Sequence, residues 1–510
     1  MLFATPSSKG LCLLAYFFGY PALILSAFFF NERKGRALYL YGCGILYFLV
    51  QMHWLGIAKY HGTAIIFVYL FFSCVFPIGF YAFGYFLPKE VRALSFSKIL
   101  QLALLFACFE YSRLFVICGF PFHTAGLILS GHAYPLILAS VIGEYGLSFV
   151  VIMVGLYSTK CFVLNRPWRY GAFALLPMLC GQIIYSQHLR KVSYSEKIHL
   201  AIVQTGLLVE EKWPIDGNET SFIPTKDQLT SIWAFVSTLD GLDLICLPEA
   251  CLPGDGLANR YSIEDLREVF PEDMLPFFYG KEAFSNLDVF SVMSIYLNTD
   301  ILIGLVAEEK NSMFYLSQGK MLGLYSKRRL LPLGEYIPFD FLKPIARSYG
   351  LDGSFKKGES PSLLRGKWRI LPTICFDEGF PGDFLSYRKD DPEFHINLSN
   401  DAWFINSKLV DSHFFVGRMR SVENGMYSIR AGNIGISAII SPTGEVVKHI
   451  PSVEPNGRLH KALLIDSFVP YRVKTIFSIV GNLGWCFIVL ICAAALNGAF
   501  KSLIKKCPLE

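Results

Sequence analysis

Hydrophobic and polar positions divide the chain into blocks with different periods. Near the start, long apolar runs at 11–30, 37–55, 63–86, 99–117, 133–157 and 170–185 alternate with short polar breaks, and a further run covers 475–496. A helix crossing a hydrocarbon core of roughly 30 Å needs about 20 apolar residues. The pattern therefore predicts six membrane spans, the sixth the shortest, followed much later by a seventh. Between residues 197 and 468 the runs shorten. Segments 198–204, 243–247, 301–306, 368–375, 394–398, 434–440 and 462–465 read as strands. Their near-continuous apolar character suits strands buried on both faces, in a sheet covered by helices. Segment 410–429 has helical spacing, with Phe414, Met419 and Met426 among its apolar positions. The predicted organisation is an N-terminal transmembrane region over 1–189, an α/β domain over 190–470, and a C-terminal span with a basic tail over 471–510.

Composition supports a membrane protein: 53% of residues are hydrophobic and the mean hydropathy is +0.42, well above what a water-covered surface allows. The first run lacks a basic leader and a small-residue cleavage site, so it reads as a retained span. A net charge of +5 is too mild to point to nucleic acid. The position of the basic residues is more informative. Loops 31–36, 89–98 and 160–169 are basic and the intervening loops are not, which places those three loops in the cytoplasm. The N-terminus and the α/β domain then lie outside, and the basic segment 501–506 lies inside. In a bacterium this topology implies a multi-pass inner-membrane protein with a periplasmic domain.

Most of the 13 cysteines fall in or beside apolar runs and read as small buried hydrophobes. Cys246, Cys251 and Cys375 lie in the α/β block, without the paired spacing of a zinc site, so neither metal nor cofactor is expected. Three predicted strands end in reactive groups: Glu249 after Leu247-Pro248, Lys327 after Tyr325-Ser326, and Cys375 after Thr373-Ile374. Ligand sites of α/β sheets gather at the carboxyl ends of strands, where three such groups can converge. Taken singly, a Cys in an apolar strand is usually packing, and a strand-end Glu or Lys is usually solvated.

Together, in this order and context, the three resemble the nitrilase superfamily, whose Glu, Lys and Cys sit on an αββα sandwich. A domain of that kind between several N-terminal spans and one C-terminal span resembles the apolipoprotein N-acyltransferase family. Segments 397–404 (NLSNDAWF), 418–423 (RMRSVE), 430–435 (RAGNIG), 110–122 (EYSRLFVICGFPF) and 143–149 carry the resemblance further. It implies that Cys375 is the nucleophile, Glu249 the general base and Lys327 the cation facing the developing oxyanion. Glu335, Trp213, Phe376, Asp377 and Asn400 are implied as supporting or substrate-side positions. Family members usually follow the nucleophile with Tyr and Glu; here Phe376 and Asp377 stand there, and Glu378 is a second candidate for the carboxylate contact.

The chemistry independently asks for these residue types. A thiol with a pKa of about 8.5 needs a neighbouring base or cation to become a thiolate at neutral pH. The implied reaction moves an acyl chain from a membrane phospholipid to Cys375, and then to the N-terminal amine of a diacylglyceryl-cysteine apolipoprotein. The lipid bilayer is itself a partner. The same residues also fit a membrane-tethered amidase acting on a small amide, while a scaffold or transporter would use the domain for binding alone. Apolar segments 270–279 and 336–345 suit either packing on the sandwich or an exposed surface beside the bilayer.

Overall fold

The computed structural model describes residues 1–57, 59, 63, 65–116, 119–188, 196–214, 219–332, 334–337, 343, 355–387, 389–405, 407–454 and 458–481. The chain forms two compact units, one of Met1–Lys191, Ser407–Gly425 and Lys474–Glu510, the other of Val192–Asn406 and Met426–Val473.

The first unit is helical. Its principal helices are α1 (Lys9–Ala27), α2 (Arg33–Gln51), α3 (Ile65–Phe86), α4 (Phe96–Ser112), α5 (Ala139–Val163) and α6 (Pro167–His188). Among the described residues, α1, α3 and α5 are long and apolar enough to cross a membrane. They differ in what their apolar surface meets. Leu11, Leu14 and Phe18 of α1 and Phe67 and Phe71 of α3 stand exposed, whereas α5 is enclosed for most of its length. Large apolar side chains left open in this density fit a membrane region. Gly143 interrupts α5 with φ 68°, so the helix kinks at a residue that tolerates this conformation. Of the seventh predicted span only 475–481 lies within the described residues, and the 501–506 segment lies outside them.

The second unit contains two six-stranded sheets and a two-stranded ribbon. Its strands are β1 (Ile198–Gln204), β2 (Leu244–Cys246), β3 (Asn259–Tyr261), β4 (Phe284–Ser285), β5 (Asp300–Ala307), β6 (Lys310–Ser317), β7 (Lys320–Ser326), β8 (Leu364–Arg365), β9 (Arg369–Ile374), β10 (Phe394–Ser399), β11 (Tyr427–Gly432), β12 (Ser437–Ile440), β13 (Val446–Ile450) and β14 (Ala462–Phe468). One sheet runs β14-β1-β2-β5-β6-β7 and the other β13-β12-β11-β10-β9-β8. β1, β2 and β5 are mutually parallel, as are β9, β10 and β11, and antiparallel strands flank both trios. Leu200, Ile202 and Met313 meet Ile370, Ile396 and Ile429 in the core between the sheets. The alternate residues Ala201, Val203 and Ile303 pack under helices α7 (Thr225–Val236) and α8 (Asn286–Tyr296). On the second sheet, Phe384 and Tyr387 cover Leu371. Burial on both faces accounts for the near-continuous apolar strands, and the layer order is that of an αββα sandwich.

Two local expectations change. The predicted helix over 410–429 is α9 (Lys408–Asn424); it ends at Gly425, whose φ of 61° caps it, and β11 starts two residues later. The single run 434–440 contains only β12, because the preceding segment turns instead of pairing. Apolar segment 270–279 divides by side chain: Phe270, Met274, Leu275 and Phe278 enter the core under α7 and α8, while Phe277 and Tyr279 face outward. Most of 336–345 falls outside the described residues.

Candidate active site

The acid is positioned by a close approach between neighbouring strands. β2 continues pairing beyond its last residue, with Leu247 N donating to Leu302 O at 2.8 Å, and then delivers Glu249. A Cβ on Gly304 of β5 would lie 2.7 Å from both the Pro248 carbonyl and the Glu249 Cα, so only glycine fits beside this turn. Ala250 follows at φ 42° and ends the extended run. Beneath it, the wholly buried Lys212 donates from Nζ to the Glu249 carbonyl at 3.2 Å. Burial lowers the Lys212 proton affinity to about 8, although Cys251 and Glu249 oppose the change.

Lys327 emerges where β7 ends, its backbone N–H tied to the Asn311 carbonyl of β6 at 2.8 Å. Its Nζ donates to Glu249 Oε1 at 3.1 Å and to Glu335 Oε1 at 2.8 Å. Asn311 Nδ2 donates to the same Glu249 oxygen at 2.6 Å and to Glu335 at 3.3 Å. The other Glu335 oxygen accepts from Leu331 N at 2.8 Å, which fixes the loop after Lys327. An almost fully buried ammonium is thus enclosed by two carboxylates. Burial disfavours its charge, but Glu249, Glu335 and Cys375 together hold the Lys327 proton well above its ordinary range. Glu249 is raised above the usual carboxylate range, first by burial and then by Glu335, against the pull of Lys327 and Asn311. A carboxylate with raised proton affinity beside a charged lysine is suited to accept a proton.

Cys375 follows β9 and opens a tight turn, Cys375–Gly379, at φ 50°, a left-handed conformation uncommon for a residue with a Cβ. Two groups hold it there. Asn397 Nδ2 of β10 donates to the Cys375 carbonyl at 3.1 Å and to Thr373 Oγ1 at 2.9 Å. Asp377 reaches back across the sandwich, accepting from Arg329 N at 2.6 Å, Arg328 N at 3.2 Å, Ile374 N at 3.2 Å and the Tyr325 hydroxyl at 2.8 Å. The shorter carboxylate therefore links the Cys375 turn to the segment that follows Lys327. Burial raises the Asp377 proton affinity to about 6, against Lys327 and these donors. Glu378 instead pairs with Arg430. Phe376 is buried edge-on against Phe380, centroids 5.2 Å apart.

Trp213 is stacked on Trp403 at 6.0 Å and lies under the Lys212 ammonium at 4.9 Å. Asn400 caps the turn carrying Trp403, accepting from Ala402 N at 3.2 Å, and accepts from Asn433 Nδ2 at 2.9 Å. Its contacts are those of a structural brace for the loop. Asn311 and Lys212 are contact residues that the sequence pattern does not single out, while Tyr325 and Arg430 stand in motif segments without a role of their own.

The carbon-nitrogen hydrolase family model matches residues 186–457, and the apolipoprotein N-acyltransferase N-terminal domain model matches residues 3–157. The chain is similar to an apolipoprotein N-acyltransferase of Chlamydia muridarum, 27% identical over 466 residues that span 86% of this chain and 83% of the relative. It is also similar to the Haemophilus ducreyi protein of that name, 28% identical over 448 residues, or 83% and 82% of the two chains. A solved nitrilase-superfamily member from Saccharomyces cerevisiae aligns with 57% of this chain and 96% of its own, with 16% identity and a TM-score of 0.36.

Proposed function

Because the chain belongs to the carbon-nitrogen hydrolase family, in its apolipoprotein N-acyltransferase branch, we propose that it N-acylates lipoproteins by two-step transfer through a Cys375 thioester. It is a membrane enzyme of the acyltransferase class with a lipoprotein substrate. The observation that carries the mechanism is the charge arrangement at the strand ends: Lys327 held between Glu249 and Glu335, with electrostatic reach to Cys375.

In the first step Glu249 takes the thiol proton as sulfur attacks the ester carbonyl of a phospholipid. The oxyanion forms near Lys327 and the backbone N–H of Phe376; loss of one such donor typically costs about 3 kcal/mol of transition-state stabilisation. The acyl–oxygen bond then breaks, and the lysolipid oxygen leaves with the proton held by Glu249. In the second step the free α-amine of a diacylglyceryl-cysteine peptide attacks the thioester. Glu249 accepts the amine proton, the carbon–sulfur bond breaks, and the thiol is regenerated as the amide forms.

The test is intact-mass measurement after incubation with phospholipid. The wild-type protein should gain one acyl chain, persist in water, and lose the chain when a diacylglyceryl-cysteine peptide with a free amine is added. A peptide with a blocked amine should leave the adduct in place. Rapid hydrolysis without acceptor, together with turnover of small amides, would replace the transferase reading with a tethered amidase.

For location, we propose the inner membrane with the catalytic unit on the periplasmic side, supported by the basic loops 31–36, 89–98 and 160–169. Reporter fusions after Lys98 and after Asp240 should give opposite signals, cytoplasmic and external. Two cytoplasmic signals would remove both the orientation and access to an exported lipoprotein.

A further inference from the structure

Arg430 of β11 stands in register with Asn397 of β10, and Asn397 with Thr373 of β9. Neighbours in register project to the same face of a sheet, so the three form a row running toward the nucleophile turn. Asn397 ends that row on the Cys375 carbonyl. The Arg430 guanidinium pairs with the Glu378 carboxylate, three residues after Cys375 in the same turn, and both side chains are wholly buried. Burial lowers the Arg430 proton affinity to about 10, while Cys375 acts in the opposite direction, which places the guanidinium within electrostatic reach of the sulfur. At neutral pH Arg430 still carries its charge.

The acyl-transfer steps assign nothing to this residue, yet its position complements that of Lys327. Lys327 comes from the end of β7 in one sheet, and Arg430 from the middle of β11 in the other. Among the described residues of the second unit, the charged groups around Cys375 and its turn include these two cations, Glu249 and Glu335 on Lys327, Asp377 and Glu378 in the turn, and Asp401 with an oxygen within 4.8 Å of the sulfur. In such a setting the loss of either cation favours the neutral thiol over the thiolate.

We propose that Arg430 is a positioning residue for the reaction: through Glu378 it clamps the strained Cys375 turn, and its charge keeps the thiol ionisable from the sheet face opposite Lys327. This inference rests on Cys375 being the nucleophile.

The competing explanation is an ordinary buried ion pair, which well-packed apolar residues can replace at little or no cost in stability. Site-specific alkylation of Cys375 by iodoacetamide as a function of pH, read by peptide mass, separates the two without using lipid substrate. Arg430→Met should raise the alkylation midpoint by about one pH unit or more, and should slow acyl-enzyme formation at pH 7. Arg430→Lys should recover most of that shift. The double variant Arg430→Met with Glu378→Met removes both buried charges, so it decides the matter if Arg430→Met alone does not accumulate. Under the proposal it folds and still loads more slowly than wild type, because the turn has lost its clamp, with a smaller rise in midpoint since the opposing Glu378 charge is gone as well. A double variant with wild-type midpoint and loading rate would reduce the pair to a structural contact and overturn the inference. Failure of the underlying reading looks different: Cys375→Ala would then still transfer acyl chains, whatever Arg430 variants do.

Discussion

Cys375→Ala is expected to abolish lipoprotein acylation while the protein still accumulates in the membrane, and Cys246→Ala and Cys251→Ala are expected to leave activity close to wild type. All three cysteines lie in the same unit, but their surroundings differ. Cys246 is sealed between the sheets and Cys251 beneath α7 and α8. Burial pushes both thiols up, Cys251 to about 12 with only partial relief from Lys212, so neither forms a thiolate at neutral pH. Cys375 alone among them is partly open and within electrostatic reach of Lys327 and Arg430. Alanine at φ 50° is as strained as cysteine, so the substitution removes the sulfur without relaxing the turn. The check is acylation of a diacylglyceryl-cysteine peptide by equal amounts of membrane-extracted protein. Turnover by Cys375→Ala would end the nucleophile assignment.

Much of this architecture is readable from the residue pattern, for identifiable reasons. β1 is predicted residue for residue because every position from Ile198 to Gln204 except His199 is buried, which leaves a near-continuous apolar run. Glu249, Lys327 and Cys375 stand out because each interrupts an apolar run where a strand ends. Asn311, Tyr325 and Arg430 do not, since they lie inside strands and resemble edge or packing positions. Their partners are distant in sequence: Asn311 meets Glu249, and Tyr325 meets Asp377. Strand β6 is not legible in the sequence because the β6–β7 hairpin turns on Gln318 and Gly319, both at positive φ, and glutamine is a poor signal for such a turn. The pattern carries helix α9 too far because Met426 and Ile429 continue the apolar spacing across Gly425, whereas the helix ends at Asn424 and Ile429 belongs to β11. Nor does hydropathy distinguish α5, enclosed by its neighbours, from α3, whose phenylalanines stand exposed. Arg420 shows a related limit. It is buried between Glu144 and Glu423, and only the folded helical unit reveals the pairing of this charge.

Glu249→Gln and Lys327→Met should both cripple the enzyme, but for reasons that separate experimentally. In Glu249→Gln the amide oxygen can still accept from Asn311 Nδ2, now at 2.6 Å from the carboxylate, and from Lys327. Packing and hydrogen bonding are therefore preserved while the proton acceptor is lost. General-base catalysis contributes about 10²–10⁴-fold, and a loss of that size is expected in both acyl-enzyme formation and its discharge, because the attacking nucleophile gives up a proton in each step. The melting temperature should change little. Lys327→Met instead leaves Glu249 and Glu335 buried without their shared cation, and breaking a buried pair in this way destabilises by about 3–5 kcal/mol. It also removes a donor from the oxyanion, with a further loss of about 10²–10³-fold in rate. Lys327→Met should thus lower both stability and rate, and Glu249→Gln rate alone. Single-turnover loading and discharge, measured beside thermal unfolding, test this pattern. A Glu249→Gln protein that loads and discharges within about threefold of wild type would be far outside the general-base range, and the proton acceptor would then have to be sought elsewhere in the site.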